Sequence, residues 1–195
     1  MSMFDEVMQC IRTRRSVRKF EAAQIDDAQV DALLEAAAWA PSGGNNQSWL
    51  FTAIQNKDVL AQLNETLRRA FLGWTPDDDY PAKRKAVLNA HNENHNYFYH
   101  APTLIIASNV PQYQNGATDC ALGLQNVFLA ARAMGLGSCW INQPRWLNND
   151  DSVRDLLARL GLPREHVIYG AAAIGLSAQN PPAPVRKEGA TLIVR

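Results

Sequence analysis

Residues Arg12–Phe20 read R-T-R-R-S-V-R-K-F, and this stretch places five cationic side chains around one small hydroxyl group, that of Ser16. The cations are Arg12, Arg14, Arg15, Arg18 and Lys19. Because the whole chain has a formal net charge of zero, this local density of positive charge needs a local explanation. A planar guanidinium and a short hydroxyl group together suit a phosphate monoester. A solvated basic turn and a patch that contacts nucleic acid are the alternatives at this point.

The composition indicates one globular domain. Of the 195 residues, 47% are apolar and 19% are charged, which are ordinary values for a domain with a sizeable core. We therefore predict a single domain over residues 1–195. The neutral charge disfavours a dedicated nucleic-acid-binding protein, and no apolar run reaches the roughly 18–20 residues of a membrane span. Because the N-terminus lacks a signal pattern and the three cysteines form no paired framework, we expect reduced thiols and a cytoplasmic location.

Hydrophobic periodicity and capping signals predict helices alternating with strands. The clearest helix start is a capping box formed by Asp26 and Gln29, and Pro41 ends that helix. The other predicted helices are Ser2–Thr13, Asp58–Phe71, Ala82–Tyr99, Asp119–Leu136 and Ser152–Leu160. The predicted strands are Leu50–Ile54, Thr103–Ala107, Gly137–Asn142, Val167–Leu176 and Thr191–Val194. Because some strand-to-strand segments hold two helices, we expect an α+β layered domain rather than a regular doubly wound one.

Two of these elements carry specific expectations about packing. The helix Asp119–Leu136 is apolar nearly all round, which predicts burial in a core or between subunits. The strand Val167–Leu176 consists largely of small residues, so another element should pack closely against it.

Several enzyme classes lack their sequence signatures here. The chain has no GxxxxGK[ST] loop, no GxGxxG between a strand and a helix, and no GxSxG elbow. Cys139 has no obvious histidine partner, which favours a buried, unreactive thiol. His91 and His95 have the i, i+4 spacing of a helical metal site, with His100 nearby. Their Asn and Glu neighbours instead favour a solvated or substrate-facing helix without a metal.

A second polar stretch, Pro41–Trp49, reads P-S-G-G-N-N-Q-S-W. Its two glycines free the backbone from steric limits, and its amide and hydroxyl groups supply both donors and acceptors. Such a loop could wrap a polar heterocycle, or it could simply connect a helix to a strand. A phosphate-binding candidate and an amide-rich loop, with no obvious catalytic dyad or triad, suit an enzyme whose cofactor carries the chemistry.

The segments Arg14–Arg18 and Pro41–Trp49, in this order, resemble the nitroreductase family of flavin enzymes. Later segments agree in order, namely His100–Pro102 before a strand, the helix Asp119–Gly135, the stretch Gly137–Gln143 and the pair Arg186-Lys187. The resemblance implies an α+β fold with a mixed central sheet flanked by helices. It also implies an obligate homodimer with two FMN sites at the interface, each built from both chains.

The resemblance further implies roles for individual residues. Arg14, Ser16 and Arg186 would hold the FMN phosphate and ribityl end, and Arg18 would lie near the pyrimidine side of the isoalloxazine. Ser42 and Gly43 would come from the partner chain, with Asn45 and Gln47 reaching the ring or ribityl. Trp140–Gln143 would pass beside the ring, with a backbone N–H near Asn142 reaching flavin N5. The expected cofactor-binding residues are Arg14, Arg15, Ser16, Arg18, Pro41, Ser42, Gly43, Asn45, Gln47, Trp140, Asn142, Gln143, Arg186 and Lys187.

The implied reaction is the reduction of nitroaromatics, quinones or related small acceptors by NADH or NADPH, with the flavin rather than a side chain carrying the chemistry. Without a Rossmann fingerprint to hold the dinucleotide separately, donor and acceptor must share one site, and ping-pong kinetics follow. The family also contains azoline oxidases, dehalogenases and flavin-cleaving enzymes, which remain alternatives. A nucleic-acid-binding module using Arg12–Lys19 is the alternative outside it.

Family members differ in the region that corresponds to Gly73–His100, where substrate specificity is set. Four aromatic residues of this segment either line the substrate pocket or pack in the core: Trp74, Tyr80, Tyr97 and Tyr99.

Overall fold

The computed structural model describes residues 2–76 and 79–195. Within them the helices are α1 Met3–Thr13, α2 Asp27–Ala38, α3 Lys57–Leu72, α4 Pro81–Ala90, α5 Gly116–Ala133, α6 Gln143–Trp146 and α7 Asp151–Arg159. The strands are β1 Leu50–Ile54, β2 Thr103–Asn109, β3 Gly137–Ile141 and β4 Val167–Gly175. This order of elements confirms the α+β class. Asp77 and Asp78, within the predicted specificity segment Gly73–His100, lie outside the described residues.

The four strands form one sheet in the order β1-β2-β4-β3, and each neighbouring pair is antiparallel. The ladder between β2 and β4 shifts register between Ala107 and Ser108. In the described part of the chain, the parallel pairing expected of a mixed sheet is confined to a single bridge between Ser16 and Ser138. That bridge attaches the basic stretch to β3, the strand at one edge of the sheet.

Side-chain caps fix where the first helices begin. The predicted capping box of α2 is confirmed, because the Asp26 carboxylate accepts the Gln29 N–H at 2.8 Å and the Gln29 side chain accepts the Asp26 N–H at 3.1 Å. A second capping box, between Ser2 and Asp5, starts α1. Each box satisfies two amide donors that the first helical turn leaves unpaired.

The sheet buries two apolar layers, one on each face. Because side chains alternate along a strand, Leu104 and Ile106 pack with α3, α4 and α7, whereas Ile105 and Ala107 pack with α2 and α5. One side of α5 is buried against the sheet and α2, which confirms part of the expected burial. Its other side stays open within a single chain, and Leu122 is exposed there.

Two predicted elements are wrong: one helix is shorter than predicted, and one strand does not form in the part of the chain that the structure describes. The helix predicted over Ala82–Tyr99 ends at Ala90, so His91 and His95 do not share a helix face. An asparagine side chain favours irregular backbone just after the helix, since the Asn92 carboxamide oxygen accepts the Asn94 N–H at 3.0 Å and competes with helical bonding. The strand predicted over Thr191–Val194 is absent from the described chain. Its residues are exposed and pair with no strand of the same chain.

Close packing on β4 confirms the expectation from its small residues. A Cβ atom added at Gly170 would lie 2.5 Å from the Trp140 ring and 3.0 Å from a methyl group of Leu124. Trp140 on β3 and Leu124 on α5 therefore pack against the backbone of β4 itself. Sheet and helix meet closely at the place where β3 leads into the polar residues Asn142 and Gln143.

Gly170→Ala should overpack this contact and lower the free energy of unfolding by about 1–3 kcal/mol. Chemical denaturation measures the effect, and displacement of the Trp140 ring should also change the intrinsic fluorescence. Gly73→Ala is the matched control, because a Cβ there meets only the Ala70 carbonyl oxygen at 3.4 Å. Equal stability of the two variants would contradict the packing described.

Candidate functional site

The basic stretch lies between the end of α1 and the edge of β3. Arg14 caps α1, with its N–H donating to the Cys10 carbonyl at 2.9 Å. Two residues later Ser16 pairs with Ser138, and the Val17 N–H donates to the Ser138 carbonyl at 2.9 Å. The chain is therefore extended here and fixed at both ends.

Side chains of this extended segment alternate between its two sides. The Val17 side chain is buried against Gly137, where an added Cβ would approach it to 3.0–3.1 Å. Because successive side chains of an extended chain point to opposite sides, Ser16 and Arg18 lie opposite to Val17, whereas Arg14 at the end of α1 lines the same cavity as Val17. Of the three residues expected to contact one cofactor along this stretch, Arg14 and Arg18 line two different cavities and Ser16 lines neither of them.

The arginines of the stretch have different partners. The Arg15 guanidinium donates to the carbonyl groups of Arg12 and Arg14, both at 2.8 Å, and so completes the end of α1. Arg14 lies 6.0 Å from the Phe128 ring, and Arg18 donates weakly to the Ser16 carbonyl at 3.4 Å. Among the residues that the structure describes, no carboxylate forms a salt bridge with Arg14 or Arg18. Two guanidinium groups without an anionic partner form a site suited to an external anion.

Two cavities flank this segment. A small cavity of about 150 Å³ is lined by Arg14, Arg15 and Arg132 together with the hydroxyl groups of Ser138 and Ser177. A larger cavity of about 320 Å³ is lined by Arg18 and by three residues at the end of β3, which are Trp140, Asn142 and Gln143. Four residues of extended chain span about 13 Å, so Arg14 and Arg18 suit the two ends of an elongated ligand.

Hydrogen bonding orders the β3 side of the larger cavity. The Trp140 indole N–H donates to the Asn142 side-chain oxygen at 2.7 Å, and Asn142 immediately precedes α6. The structure thus brings Arg18, Trp140, Asn142 and Gln143 to one cavity.

The opposite wall of the larger cavity comes from α4 and the turns after it. Tyr97 is buried and donates to the Ala86 carbonyl at 2.9 Å, and burial raises the pKa of its phenol to about 12. The His95 ring lies 4.7 Å from the Tyr97 ring, and burial, then the charge of Lys85, lowers the pKa of its imidazole. Tyr97 packs in the core and also lines the cavity, so it meets both alternatives given for the aromatic residues, and Tyr99 lines the cavity too.

The other two aromatic residues of that segment pack elsewhere. Trp74 packs edge-on against Phe71 at 5.3 Å, and Tyr80 packs against Trp146 at 5.9 Å. Trp146 itself lines the larger cavity, so Tyr80 contacts a residue of the cavity wall.

The loop Pro41–Gln47 is fixed by a carboxylate that the sequence did not single out. Asp119, which is 3% exposed, accepts the Gly43 N–H at 3.2 and 3.3 Å with its two oxygens. The Tyr113 hydroxyl lies 2.7 Å from the Gly43 carbonyl and 2.9 Å from the Asp119 carboxylate. Within the loop, the Ser42 hydroxyl accepts the Gln47 N–H at 3.2 Å. No local sequence signal indicates the Asp119 contact, because the two residues lie 76 positions apart.

The loop and the basic stretch lie at opposite ends of α5. Asp119 holds the loop near the start of this helix, whereas Arg132 near its end donates to the Thr13 hydroxyl at 2.8 Å. Thirteen residues of α-helix span about 20 Å. Arg186 and Lys187 lie in the exposed segment after β4. Within one chain, the expected cofactor-binding residues therefore lie in three separate regions: the polar loop, the basic stretch with the end of β3, and the exposed segment after β4.

Neither the histidines nor the cysteines form a metal site within residues 2–76 and 79–195, where no cluster of three or more His, Cys, Asp or Glu side chains could hold an ion. Cys139 is buried, as expected, and burial raises the pKa of its thiol against the opposing effect of Arg18 and Arg14. None of the described helices is long and apolar enough to cross a membrane.

Comparison with known proteins agrees with this geometry. The model of the Nitroreductase family matches residues 11–176, which include the basic stretch, the polar loop and all four strands. The chain belongs to the nitroreductase family.

Among solved structures, a nitroreductase of Bacteroides fragilis with bound FMN superposes with a TM-score of 0.90 at 39% identity, covering 97% of this chain and 99% of that one. A nitroreductase of Desulfitobacterium hafniense with bound FMN gives 0.84 at 25% identity, covering 97% and 98%. A curated relative, a putative NADH dehydrogenase/NAD(P)H nitroreductase of Archaeoglobus fulgidus, is 29% identical over 88% of this chain and 85% of its own length. The match extends over nearly the whole of each relative.

Asp119→Ala should release the loop, because the Gly43 N–H loses its acceptor. We expect the free energy of unfolding to fall by about 1–3 kcal/mol and amide hydrogen exchange at Gly43 to accelerate. Asp119→Asn is the control, since its remaining oxygen can still accept that N–H. Unchanged exchange at Gly43 in Asp119→Ala would show that the loop is held by other contacts.

Proposed function

We propose that this protein binds FMN and is an oxidoreductase that uses NADH or NADPH to reduce nitroaromatics, quinones or related small acceptors. The observation that carries the proposal is the pair of arginines, Arg14 and Arg18, which form no salt bridge with a carboxylate in the described chain, border two cavities and are about 13 Å apart along an extended segment. The family match and the FMN-bound relatives support the choice of FMN as the ligand.

The residues fit the two ends of FMN. The small cavity offers Arg14 and two serine hydroxyl groups, those of Ser138 and Ser177, to a phosphate group. Arg186 would reach the phosphate from the exposed segment after β4. The larger cavity is lined by Trp140, Asn142 and Gln143, which would lie beside the isoalloxazine.

When bound, FMN supplies reversible acceptance of a hydride, which no side chain can provide. The Arg18 guanidinium would lie at the pyrimidine side and stabilise negative charge that develops there. Trp140–Gln143 would orient the ring, while the buried Tyr97 and the aromatic wall around it exclude water from one side of the cavity. NAD(P)H and the acceptor would occupy the same space in turn.

We further propose that the site is completed by a second copy of the chain. The loop Pro41–Gln47 is held about 20 Å from the basic stretch, so a single chain does not surround the ligand. A two-fold axis that runs α5 antiparallel to its copy would bring the loop of one chain to Arg14–Arg18 of the other. Exposed apolar side chains provide a surface for such contact on α1, α5 and the terminal segment: Met3, Phe4, Val7, Ile11, Leu122, Val185, Leu192, Ile193 and Val194.

The structure offers less support to a nucleic-acid-binding module. The guanidinium of Arg15, in the middle of the basic stretch, donates hydrogen bonds to backbone carbonyl groups at the end of α1. Arg14 and Arg18 border two separate cavities. The other flavin chemistries of the family remain alternatives, and reduction by NAD(P)H distinguishes them from the proposed reductase.

The purified protein should be yellow and contain FMN, and Arg14→Ala should release the flavin much more readily. The loss of a charge-assisted hydrogen bond to phosphate costs roughly 1.5–3 kcal/mol, which corresponds to about a 10- to 100-fold rise in the FMN dissociation constant. Arg14→Lys should recover part of this loss, because the charge remains but the planar fork does not.

Flavin fluorescence titration measures these constants, and Arg159→Ala on the exposed surface of α7 is the control. A colourless protein that gains no flavin spectrum when FMN is added would overturn the proposal. Retention of FMN by Arg14→Ala at the wild-type level would place the phosphate elsewhere.

Steady-state kinetics test the shared use of one site. With NAD(P)H and a quinone varied together, we expect parallel lines in double-reciprocal plots, because the donor must leave before the acceptor enters. Intersecting lines would indicate a ternary complex and separate sites. A bound flavin that neither NADH nor NADPH reduces would favour one of the other chemistries of the family.

A further inference from the structure

The larger cavity has an unbalanced charge. Two cationic residues, Arg18 and Lys85, line it, and none of the lining residues that the structure describes is acidic. In the proposed site Arg18 faces the cofactor. Lys85 then adds a second positive charge, and it is not among the residues expected to bind the cofactor.

Helix geometry explains why Lys85 lines the cavity, at the edge of a helix face that also borders a second surface cavity beside Arg84 and Leu88. Ala82, Lys85, Ala86 and Asn89 all line it, and their spacing of i, i+3, i+4 and i+7 is one face of an α-helix. Lys83 lies off this face, with its ammonium 5.3 Å from the centre of the Tyr80 ring and 6.0 Å from that of Trp74. The two lysines of α4 thus have different surroundings, although they are two residues apart.

Lys85 also affects the pKa of one neighbouring side chain, that of His95. Its proximity contributes to lowering the pKa of the His95 imidazole, which lines the same cavity, after the larger effect of burial. His95 is therefore neutral at pH 7 and can neither balance nor replace the lysine. Among the described residues of α4 and the following turns that line this cavity, Lys85 is the positively charged one.

Aromatic side chains complete this wall. Tyr99 and Trp146 line the cavity beside α4 and offer ring surfaces to a flat ligand. An aromatic ring between such side chains, with an anionic group directed at Lys85, would satisfy both the shape and the charge of the pocket.

We propose that the acceptor pocket selects aromatic acceptors that carry a carboxylate, and that Lys85 is the residue that determines this specificity. The inference rests on the proposed function, since it concerns the acceptor of the same site. Lys85 binds the carboxylate and does not take part in the electron transfer.

A pair of acceptors that differ only in charge provides the test. para-Nitrobenzoate and para-nitrobenzamide have the same ring and nitro group, but only the first is anionic at pH 7. In each turnover one NAD(P)H gives two electrons to one nitro group, which with one proton from solvent yields the nitroso compound, NAD(P)⁺ and water. The measured quantity is the ratio of kcat/KM for the acid to that for the amide, with the FMN-loaded protein.

The wild-type protein should prefer the acid, and Lys85→Gln should lower the ratio roughly five- to tenfold, mainly through KM for the acid. Lys85→Arg should retain the preference, and Lys85→Glu should reverse it. Lys83→Gln is the matched control on the same helix and should keep the wild-type ratio. Added salt should reduce the wild-type preference, because the lysine is exposed at the rim of the pocket.

Equal loss of activity toward both acceptors in Lys85→Gln would overturn the inference. So would a rise in the FMN dissociation constant or in KM for NAD(P)H at an unchanged ratio, since the lysine would then bind the cofactor or the dinucleotide. A wild-type protein that binds no FMN or reduces neither acceptor would overturn the proposed function itself, and the inference with it.

Discussion

The candidate site depends on one short backbone pairing, in which the Val17 N–H donates to the Ser138 carbonyl at the edge of β3. Burial of the Val17 side chain against Gly137 sets the direction of the extended segment, so its neighbours Ser16 and Arg18 point the other way. A Cβ atom at position 137 would crowd the Val17 side chain at 3.0–3.1 Å and require a small shift there. This attachment places Arg14 and Arg18, which form no salt bridge with a carboxylate among the described residues, beside the two cavities.

The second constraint is the length of α5. This helix fixes the loop Pro41–Gln47 at its start through Asp119 and the basic stretch near its end through Arg132. Because these anchors are about 20 Å apart on a rigid helix, small movements of one chain cannot close the gap. The open side of α5, the apolar face of α1 and the exposed terminal segment are the surfaces that a second copy would cover in the proposed dimer.

Local physics made much of the fold predictable from the sequence. Capping at Asp26, the buried β2 and the small residues of β4 depend on neighbours in sequence or on simple periodicity, and the structure has all three. The end of α4 was not predictable from periodicity, because asparagine side chains after Ala90 bond to nearby backbone groups and interrupt the helix. The exposed segment Thr191–Val194 has strand-forming residues but no strand of its own chain to pair with.

The site was predictable only where its residues are contiguous. Arg14–Arg18 was found as a short basic stretch and Trp140–Gln143 through the family resemblance, and the structure brings Arg18 to the same cavity as Trp140, Asn142 and Gln143. Tyr113 and Asp119, which hold the loop, and Lys85, which faces the larger cavity, gave no motif, because their importance arises from contacts or helix faces set by the fold. Long-range contacts of this kind need the tertiary structure before they can be recognised.

A mixed dimer tests most directly whether each FMN site is built from two chains. One subunit carries Arg14→Ala, and the other carries Ser42→Trp, a bulky change at a loop position whose extended backbone accepts any residue. Each variant alone should form dimers that retain little FMN. If the sites are shared, the mixed dimer concentrates both defects in one site, leaves the other intact and retains about one FMN per dimer. If each site belongs to a single chain, both sites of the mixed dimer are defective, and its failure to retain FMN would contradict the account.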